Sequence, residues 1–201
     1  MFTVIRADQA QAEAKADARA QMADIFADGF TQWLGYFSKD RSIIAQAFAH
    51  MFVLDQFYLA MSDGQVAAMA ACTDGKATSV RLDARLLRKH LGLLKGSLAA
   101  FFLKKEFEGL LDNPDGDACS IEFVGTALPF RGQGAASHLL GHIVRHTSYR
   151  TYLIEEVADT NTPAMKLYQK LGFQEYKRKA LPEKLARKNG IHHLVSLKYV
   201  K

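Results

Sequence analysis

The sequence predicts an α/β (α+β) domain in which helices pack on a mixed central sheet of about six to seven strands. Three observations predict it. The second half of the chain alternates strand-like and helix-like segments in the order β-α-β-α-β-β. The first half contains a hairpin signal at Ser62-Asp63-Gly64, because glycine supplies a positive φ. The length of 201 residues suits one core, so we expect residues 1–201 to form a single domain.

The first half combines a strand, helices and a hairpin. Residues 2–7 are a strand candidate. Apolar residues recur at helical spacing through 9–37 and again through 43–52. Two further strands are expected at 56–61 and 65–72, on either side of the hairpin turn.

Residues 82–111 are expected to form helices that precede the fourth strand as an insertion. The first of these helices has an apolar side with Leu82, Leu86 and Leu87 and a basic side with Arg85, Arg88 and Lys89. This pattern predicts a packed face beneath a solvated one. A basic lid above an acidic ligand is the alternative interpretation.

The second half supplies the remaining predicted elements. In order they are a strand at 119–126, a helix at 135–147, a strand at 152–157, a helix at 163–171, and strands at 173–178 and 192–200. Residues 182–190 are expected to form a loop between the last two strands.

Charge and composition disfavour several classes of partner. The net charge of +5 and the pI near 9.2 fit an anionic ligand such as a nucleotide. The basic residues are spread along the chain without a motif that reads nucleic acid, so we expect no nucleic-acid partner. No run of about 18 apolar residues and no signal-peptide pattern occurs. We therefore expect a cytoplasmic protein with no membrane partner.

The cysteines and histidines match no metal-binding pattern. Cys72 and Cys119 are expected to be separate buried thiols in a reducing compartment, because their spacing fits no metal or redox motif. His138, His142 and His146 recur every four residues on a predicted helix. Histidines at this spacing can bind zinc, but no Cys or acid in that segment completes a site. We expect a polar helix edge and no bound metal.

The segment RGQGAA, residues 131–136, joins a predicted strand to a predicted helix. The first turn of a helix carries N–H groups without intrahelical partners and a partial positive charge. Gly132 and Gly134 remove side chains that would keep an anion away from these groups, and Arg131 adds a full charge. The segment therefore predicts an anion site at a helix N-terminus. Taken alone, a tight strand-to-helix turn would explain it equally well.

The same segment fits the [QR]-x-x-G-x-[GA] pattern of the Gcn5-related N-acetyltransferase (GNAT) superfamily, in which it binds the pyrophosphate of acetyl-CoA. Downstream, ADTNTPAMKLYQKLGF at 158–173 resembles the fifth-strand exit and fourth helix of that family. The two motifs have the family's order and spacing, so residues 119–176 resemble it strongly. Pro129 departs from the pattern by lying one place nearer the arginine than usual. The resemblance implies the GNAT fold and an enzyme that transfers an acetyl group to an amine.

The resemblance also implies how acetyl-CoA binds. Its pantetheine arm pairs with the main chain of the fourth strand, and its pyrophosphate lies on the N–H groups of the RGQGAA segment. Asn161 either caps the helix that follows it or bonds to the pantetheine amides. The implied cofactor-binding residues are Phe123, Val124, Gly125, Thr126, Arg131, Gly132, Gln133, Gly134, Ala135, Ala136 and Asn161.

Glu122 is the leading candidate for a general base. Acetyl transfer needs a neutral amine, and deprotonating an alkyl-ammonium at pH 7 costs roughly 4–5 kcal/mol. Glu122 lies in an otherwise apolar strand, where a carboxylate is costly unless it is paired or functional. Strand alternation points it to the same face as Val124. A structural ion pair or an exposed position is the alternative, and Glu155 and Glu156 are second candidates for the base.

Tyr168 is the candidate for the acid that protonates the CoA thiolate, by the same resemblance. Pro163 suits the first position of its helix and Gly172 the C-terminal cap. Tyr168 shares one helix face with Ala164 and Leu171, so its side chain should point inward. The alternative is a tyrosine that only packs.

The acceptor amine has no readable motif. By analogy with the family, acceptor recognition is expected to fall to the first two helices, the insertion, the segment 182–190 and His192-His193. A small-molecule amine and a protein or peptide amine both stay open. The acyl group could also be longer than acetyl. A homodimer is possible by analogy with the family. The alternative function is a non-catalytic acyl-CoA sensor or regulatory module of the same fold.

Overall fold

The computed structural model describes residues 1–13, 17–111 and 116–201. The strands are β1 (Thr3–Arg6), β2 (Phe57–Ser62), β3 (Gln65–Thr73), β4 (Ala118–Thr126), β5 (Thr151–Ala158), β6 (Gln174–Ala180) and β7 (His193–Val200). The helices are α1 (Ala7–Glu13), α2 (Ala18–Leu34), α3 (Arg41–Phe48), α4 (Ala84–Leu91), α5 (Leu93–Phe107), α6 (Ala135–His146), α7 (Thr162–Lys170) and α8 (Glu183–Asn189). None of the described helices is long and apolar enough to span a membrane.

The strands form one mixed sheet in the order β1-β2-β3-β4-β5-β7-β6. Neighbouring strands are antiparallel except β4 and β5, which are parallel and are connected by the crossover helix α6. The predicted α/β class with its seven strands and its helical insertion before β4 is confirmed.

Two apolar clusters cover opposite faces of the sheet. Met69 and Ala71 of β3 belong to one cluster, and Ala70 and Cys72 belong to the other. This alternation along one strand shows that the clusters lie on opposite faces. We call the face covered by α2, α3, α4 and α5 the α2 face, and the face covered by α6 and α7 the α6 face.

A β-bulge interrupts β4 at Phe123. Met69 pairs with Gly125 and Ala71 pairs with Glu122, so β4 holds one residue more than β3 between these pairs. Phe123 has a φ of 52°. The extra residue reverses the alternation of side chains along β4, so Phe123 packs on the α2 face. Glu122 lies on the same face, because its partner Ala71 belongs to the apolar cluster of that face. Val124 packs on the α6 face, so the prediction that Glu122 and Val124 share a face is wrong.

Aspartate side chains begin three of the helices. Asp17 accepts from Arg19 N at the start of α2, Asp40 from Ser42 N at the start of α3, and Asp83 from Arg85 N at the start of α4. Each carboxylate satisfies an N–H group that has no intrahelical partner, and its charge complements the helix dipole.

Helices α4 and α5 form a tightly packed hairpin with only Gly92 between them. Gly92 has a φ of 80°, which suits the reversal of direction. A Cβ placed on Gly96 would lie 2.5 Å from Arg88 Cα, so the two helix backbones are in direct contact. The predicted apolar face is only partly correct, because Leu87 is buried whereas Leu86 is 36% exposed.

Three predicted boundaries differ from the structure. The helix expected at 9–37 is α1 followed by α2, and residues 14–16 of that prediction lie outside the described residues. The helix expected at 43–52 ends at Phe48 and continues as a 3₁₀ turn. The loop expected at 182–190 contains α8, because Pro182 stands at its N-cap and Gly190, with a φ of 67°, ends it.

Cys72 and Cys119 form a disulfide between β3 and β4, with their Cα atoms 6.1 Å apart. The prediction of two separate thiols is therefore wrong. The cysteines are 47 residues apart in the sequence, and only the antiparallel pairing of β3 with β4 brings them together.

We expect Gly96→Ala to lower the free energy of unfolding by about 1–3 kcal/mol, because the new methyl group would overlap backbone atoms of α4 that cannot move aside. Gly29→Ala in α2 is the matched control. Gly29 is exposed and its Cβ position is open, so alanine should be neutral or stabilise by about 0.5–1 kcal/mol. Urea unfolding monitored by circular dichroism measures both, and equal stability of the two variants would contradict the close helix contact.

Candidate active site

The sheet opens between β4 and β5. These parallel strands pair only from Ala118↔Thr151 to Ser120↔Leu153. Beyond that point each strand contains a residue with positive φ, Phe123 at 52° and Glu156 at 55°. From 121 to 126 the edge of β4 that faces β5 has no strand partner within the described chain. We call this gap the β4–β5 opening, and an extended ligand can pair with its exposed main chain as an added strand.

The RGQGAA segment lies where β4 leads into α6, at one end of this opening. Gly132 and Gly134 have φ values of 76° and 84°. Gly134 is the N-cap of α6, and no side chain caps the helix. Within the described ranges, the N–H groups of Gly134, Ala135 and Ala136 have no hydrogen-bond acceptor. Together they form an anion site at a helix N-terminus.

Arg131 and Gln133 form hydrogen bonds within the turn of the same segment, unlike the three residues with available N–H groups. Their N–H groups donate to the carbonyls of Leu128 and Phe130, both at 3.3 Å. Gln133 Nε2 also donates to Pro129 O at 2.7 Å, and Arg131 Nε donates to Thr126 O at 3.3 Å. These residues brace the turn, so the available N–H groups are fewer than the whole motif suggests.

Glu122 is half-buried and accepts hydrogen bonds from two hydroxyl groups. Thr73 Oγ1 donates to Oε1 at 3.2 Å, and Ser79 Oγ donates to Oε2. Thr73 and Ser79 are 3% and 1% exposed, so these hydroxyls are nearly closed to solvent. The carboxylate is thus held by hydrogen bonds, and it keeps lone pairs that can accept a further proton or hydrogen bond.

Sequence reasoning missed Thr73 and Ser79. They precede Glu122 by 49 and 43 residues, and no local spacing connects them to it. Pairing of Thr73 with Ser120 brings the first of them alongside, and Val53 N donates to Ser79 O and fixes the second. The only signal was their position shortly before and after the turn that follows β3.

Tyr168 lies on the α6 face and is 5% exposed. Its ring packs against Phe173, with centroids 6.1 Å apart. The predicted inward orientation is confirmed. Burial raises the pKa of the Tyr168 hydroxyl well above its ordinary value. The hydroxyl therefore stays protonated at neutral pH.

Asn161 and the second candidate carboxylates have partners of their own. Asn161 Oδ1 accepts from Ala164 N at 3.3 Å and caps α7. Glu155 accepts from the Tyr176 hydroxyl, and Glu156 accepts from Lys179 Nζ at 3.3 Å. Both carboxylates are exposed and engaged with β6, which favours Glu122 as the base.

Phenylalanine rings surround the β4 bulge on the α2 face. Phe123 lies 6.2 Å from Phe26, 6.0 Å from Phe30 and 5.4 Å from Phe107, measured between ring centroids. Phe107 belongs to α5, so the insertion contributes part of this aromatic wall beside Glu122. The sequence did not indicate this contact.

The remaining candidate groups stand apart from Glu122 and Tyr168. The ring centroids of His142 and His146 are 4.2 Å apart. The pKa of His142 is lowered, mainly by burial and to a smaller extent by the charge of His146. Among the residues that the structure describes, no three His, Cys, Asp or Glu side chains form a metal-binding group. His193 Nδ1 lies 3.2 Å from Asp159 Oδ2, near the start of β7.

A cavity of about 530 Å³ lies at the N-terminus of α4. Its lining residues are Arg81, Leu82, Asp83, Ala84, Arg85 and Arg88. Two of the three residues of the predicted basic face, Arg85 and Arg88, therefore share one depression. The basic-lid interpretation stays a prediction from the sequence.

Comparison with known proteins agrees with this geometry. The sequence model of the Acetyltransferase (GNAT) family matches residues 19–173. No curated protein matches the chain. An N-acetyltransferase structure from Staphylococcus aureus Mu50 has a TM-score of 0.61 and 16% identity, and the match covers 98% of this chain and 100% of that one.

Two further structures are similar along their whole length. A GCN5-related N-acetyltransferase from Kribbella flavida has a TM-score of 0.55 and 15% identity, covering 100% of this chain and 98% of that one. A ribosomal-protein-alanine N-acetyltransferase from Brucella melitensis has a TM-score of 0.53 and 15% identity, covering 99% of each chain. These identities show the fold alone, whereas the family model matches more than half of the sequence. The chain therefore belongs to the GNAT acetyltransferase family.

Proposed function

We propose that this enzyme transfers an acetyl group from acetyl-CoA to a primary amine by direct attack in a ternary complex. Membership of the family implies acyl transfer from acetyl-CoA, and the amine acceptor and the mechanism are the proposal. The observation that supports this proposal is the β4–β5 opening. The opening ends at the anion site of α6, with Glu122 on one face of the sheet and Tyr168 on the other.

The described residues fit the proposed donor. The N–H groups of Gly134, Ala135 and Ala136 would bind its pyrophosphate, helped by the dipole of α6. The unpaired edge of β4 from Phe123 to Thr126 would pair with its pantetheine amides through main-chain groups. Asn161 would cap α7 and offer its amide N–H groups to the same arm. Acetyl-CoA supplies the acetyl group as a thioester.

Each proton in the reaction has a proposed partner. Glu122 accepts the proton that the acceptor's ammonium must lose, directly or through one water. The amine nitrogen then forms a bond to the thioester carbonyl carbon, and an N–H group of β4 stabilises the negative charge on its oxygen. The carbon–sulfur bond breaks, Tyr168 donates its proton to the thiolate sulfur, and the newly bonded nitrogen loses its second proton, which returns through solvent to the Tyr168 phenolate. Cytoplasmic location and a homodimer stay predictions from the sequence.

We expect Gly134→Asp to raise the Kd for acetyl-CoA by on the order of a hundredfold or more, because like charges placed in contact cost several kcal/mol. Isothermal titration calorimetry measures this change. Gly190→Asp is the matched control, since Gly190 also has a positive φ, 67°, and an open Cβ position. Normal binding by Gly134→Asp would contradict the proposed anion site, and absence of binding in the wild type would overturn the proposed donor.

We expect Tyr168→Phe to lower kcat by about a hundredfold while leaving the Kd for acetyl-CoA unchanged, because only the proton donor is lost. CoA release across a panel of amines and peptides measures turnover. Tyr199→Phe is the control, since Tyr199 packs against the same Phe173 with centroids 5.6 Å apart. A wild-type kcat in Tyr168→Phe would refute the acid role. Tight binding without turnover on any acceptor would instead favour the sensor.

We expect Glu122→Gln to lower kcat/KM by about 10²–10⁴-fold at neutral pH, because the amide cannot accept the proton. Glu155→Gln and Glu156→Gln are the comparison variants and should change kcat/KM little, since both carboxylates are exposed and bound to β6. A larger loss in either comparison variant would move the base to β5.

A further inference from the structure

Helix α5 presents a row of large apolar side chains to solvent. Leu93, Leu94, Phe101 and Phe102 are 77%, 83%, 76% and 58% exposed, and Leu98 is 37% exposed. We call these five residues the α5 patch. Leu94, Leu98, Phe101 and Phe102 share one side of the helix, because residues three, four and seven positions apart lie close together, and Leu93 borders them in the first turn. Scattered exposed leucines are ordinary in proteins, but a contiguous patch of this kind marks an interaction site.

The opposite side of α5 is firmly attached to the rest of the protein. Ala99 is fully buried, and Gly96 packs directly on the backbone of α4. At the C-terminal end, Phe107 contacts Phe26 and Phe123 with ring centroids 6.2 Å and 5.4 Å apart. The orientation of α5 is therefore set by packing, and exposure of the α5 patch is a property of the folded chain.

Positive charge borders the α5 patch. On the helical circumference Lys95 lies beside the patch, and Lys104 and Lys105 lie within its arc. Residues 81–108 contain seven Lys and Arg against three Asp and Glu. Lys95 Nζ donates to Phe37 O, and Lys104 Nζ lies 3.9 Å from Glu108 Oε2. Lys95, Lys104 and Lys105 are all exposed.

We propose that the α5 patch docks this protein on the surface of an anionic lipid bilayer. Leucine, phenylalanine and lysine on the exposed side of α5 match the apolar and basic residues of a helix that lies in the membrane interface. The apolar side chains would enter the acyl boundary, and the lysines would extend toward lipid phosphates. The contact is confined to the surface, and it revises the sequence-based expectation of no membrane partner.

Charge and shape favour a bilayer over protein partners. Two copies meeting through their α5 patches would bring both sets of lysines together, and like charges at an interface are unfavourable. A peptide would need a groove, whereas the patch is the convex surface of one helix. A bilayer accepts a convex apolar surface and supplies the negative charge.

Vesicle co-sedimentation of the 201-residue chain tests the proposal. We expect the wild type to bind vesicles of phosphatidylcholine with phosphatidylserine, and to bind pure phosphatidylcholine much less. Leu94→Gln/Phe101→Gln should weaken binding by on the order of a hundredfold, since two apolar side chains that would enter the bilayer are lost. Lys104→Gln/Lys105→Gln should weaken it by roughly fivefold for each lysine and reduce its dependence on salt.

Matched controls separate the patch from general effects. Val200→Gln changes an exposed apolar residue outside α5, and Lys166→Gln/Lys177→Gln removes the same charge elsewhere, so both should bind as the wild type does. Circular dichroism verifies folding, and Leu93→Gln/Phe102→Gln replaces the first patch variant if that one does not fold. No binding by the wild type, or wild-type binding by a folded patch variant, overturns the proposal. So does a wild-type dimer in sedimentation velocity that the patch variant converts to monomer.

Discussion

The loss of pairing between β4 and β5 after Ser120 is the constraint on which the site depends. Two non-glycine residues, Phe123 and Glu156, adopt positive φ values where the strands separate, and such conformations persist only when the surroundings enforce them. Around Phe123 this enforcement is visible, because its ring packs among the phenylalanines of α2 and α5. Packing on the α2 face thus holds the bulge, and the bulge leaves the edge of β4 free for a ligand.

The same separation gives the two candidate proton-transfer groups different surroundings. Glu122 lies on the α2 face, where its carboxylate accepts hydrogen bonds from the hydroxyl groups of Thr73 and Ser79. Tyr168 lies in the apolar cluster of the α6 face, where burial favours a neutral phenol. The proposed proton acceptor and the proposed proton donor therefore lie on opposite sides of the opening through which the thioester would pass.

The α4–α5 hairpin is joined to the site by one face and exposed by the other. Gly96 allows the two helices to touch, and Phe107 on the inner face of α5 packs against Phe123 at the β4 bulge. The outer face holds apolar side chains that no described residue covers. A helix inserted only to complete the core would be polar on its outer side, so the composition of α5 indicates a second purpose.

The sequence by itself determined the features that depend on residues close to one another in the chain. The seven strands, the glycine-rich start of α6, the capped α7 with its inward Tyr168 and the family resemblance all follow from spacing over a few residues. Tertiary structure alone decided the rest: the bulge that reverses alternation after Glu122, the hydroxyls around that carboxylate, the pairing of Cys72 with Cys119 and the exposure of α5. Each of these features joins residues that are distant in sequence or depends on which side of an element is covered. Periodicity identifies an apolar side chain, but only packing determines what that side chain contacts.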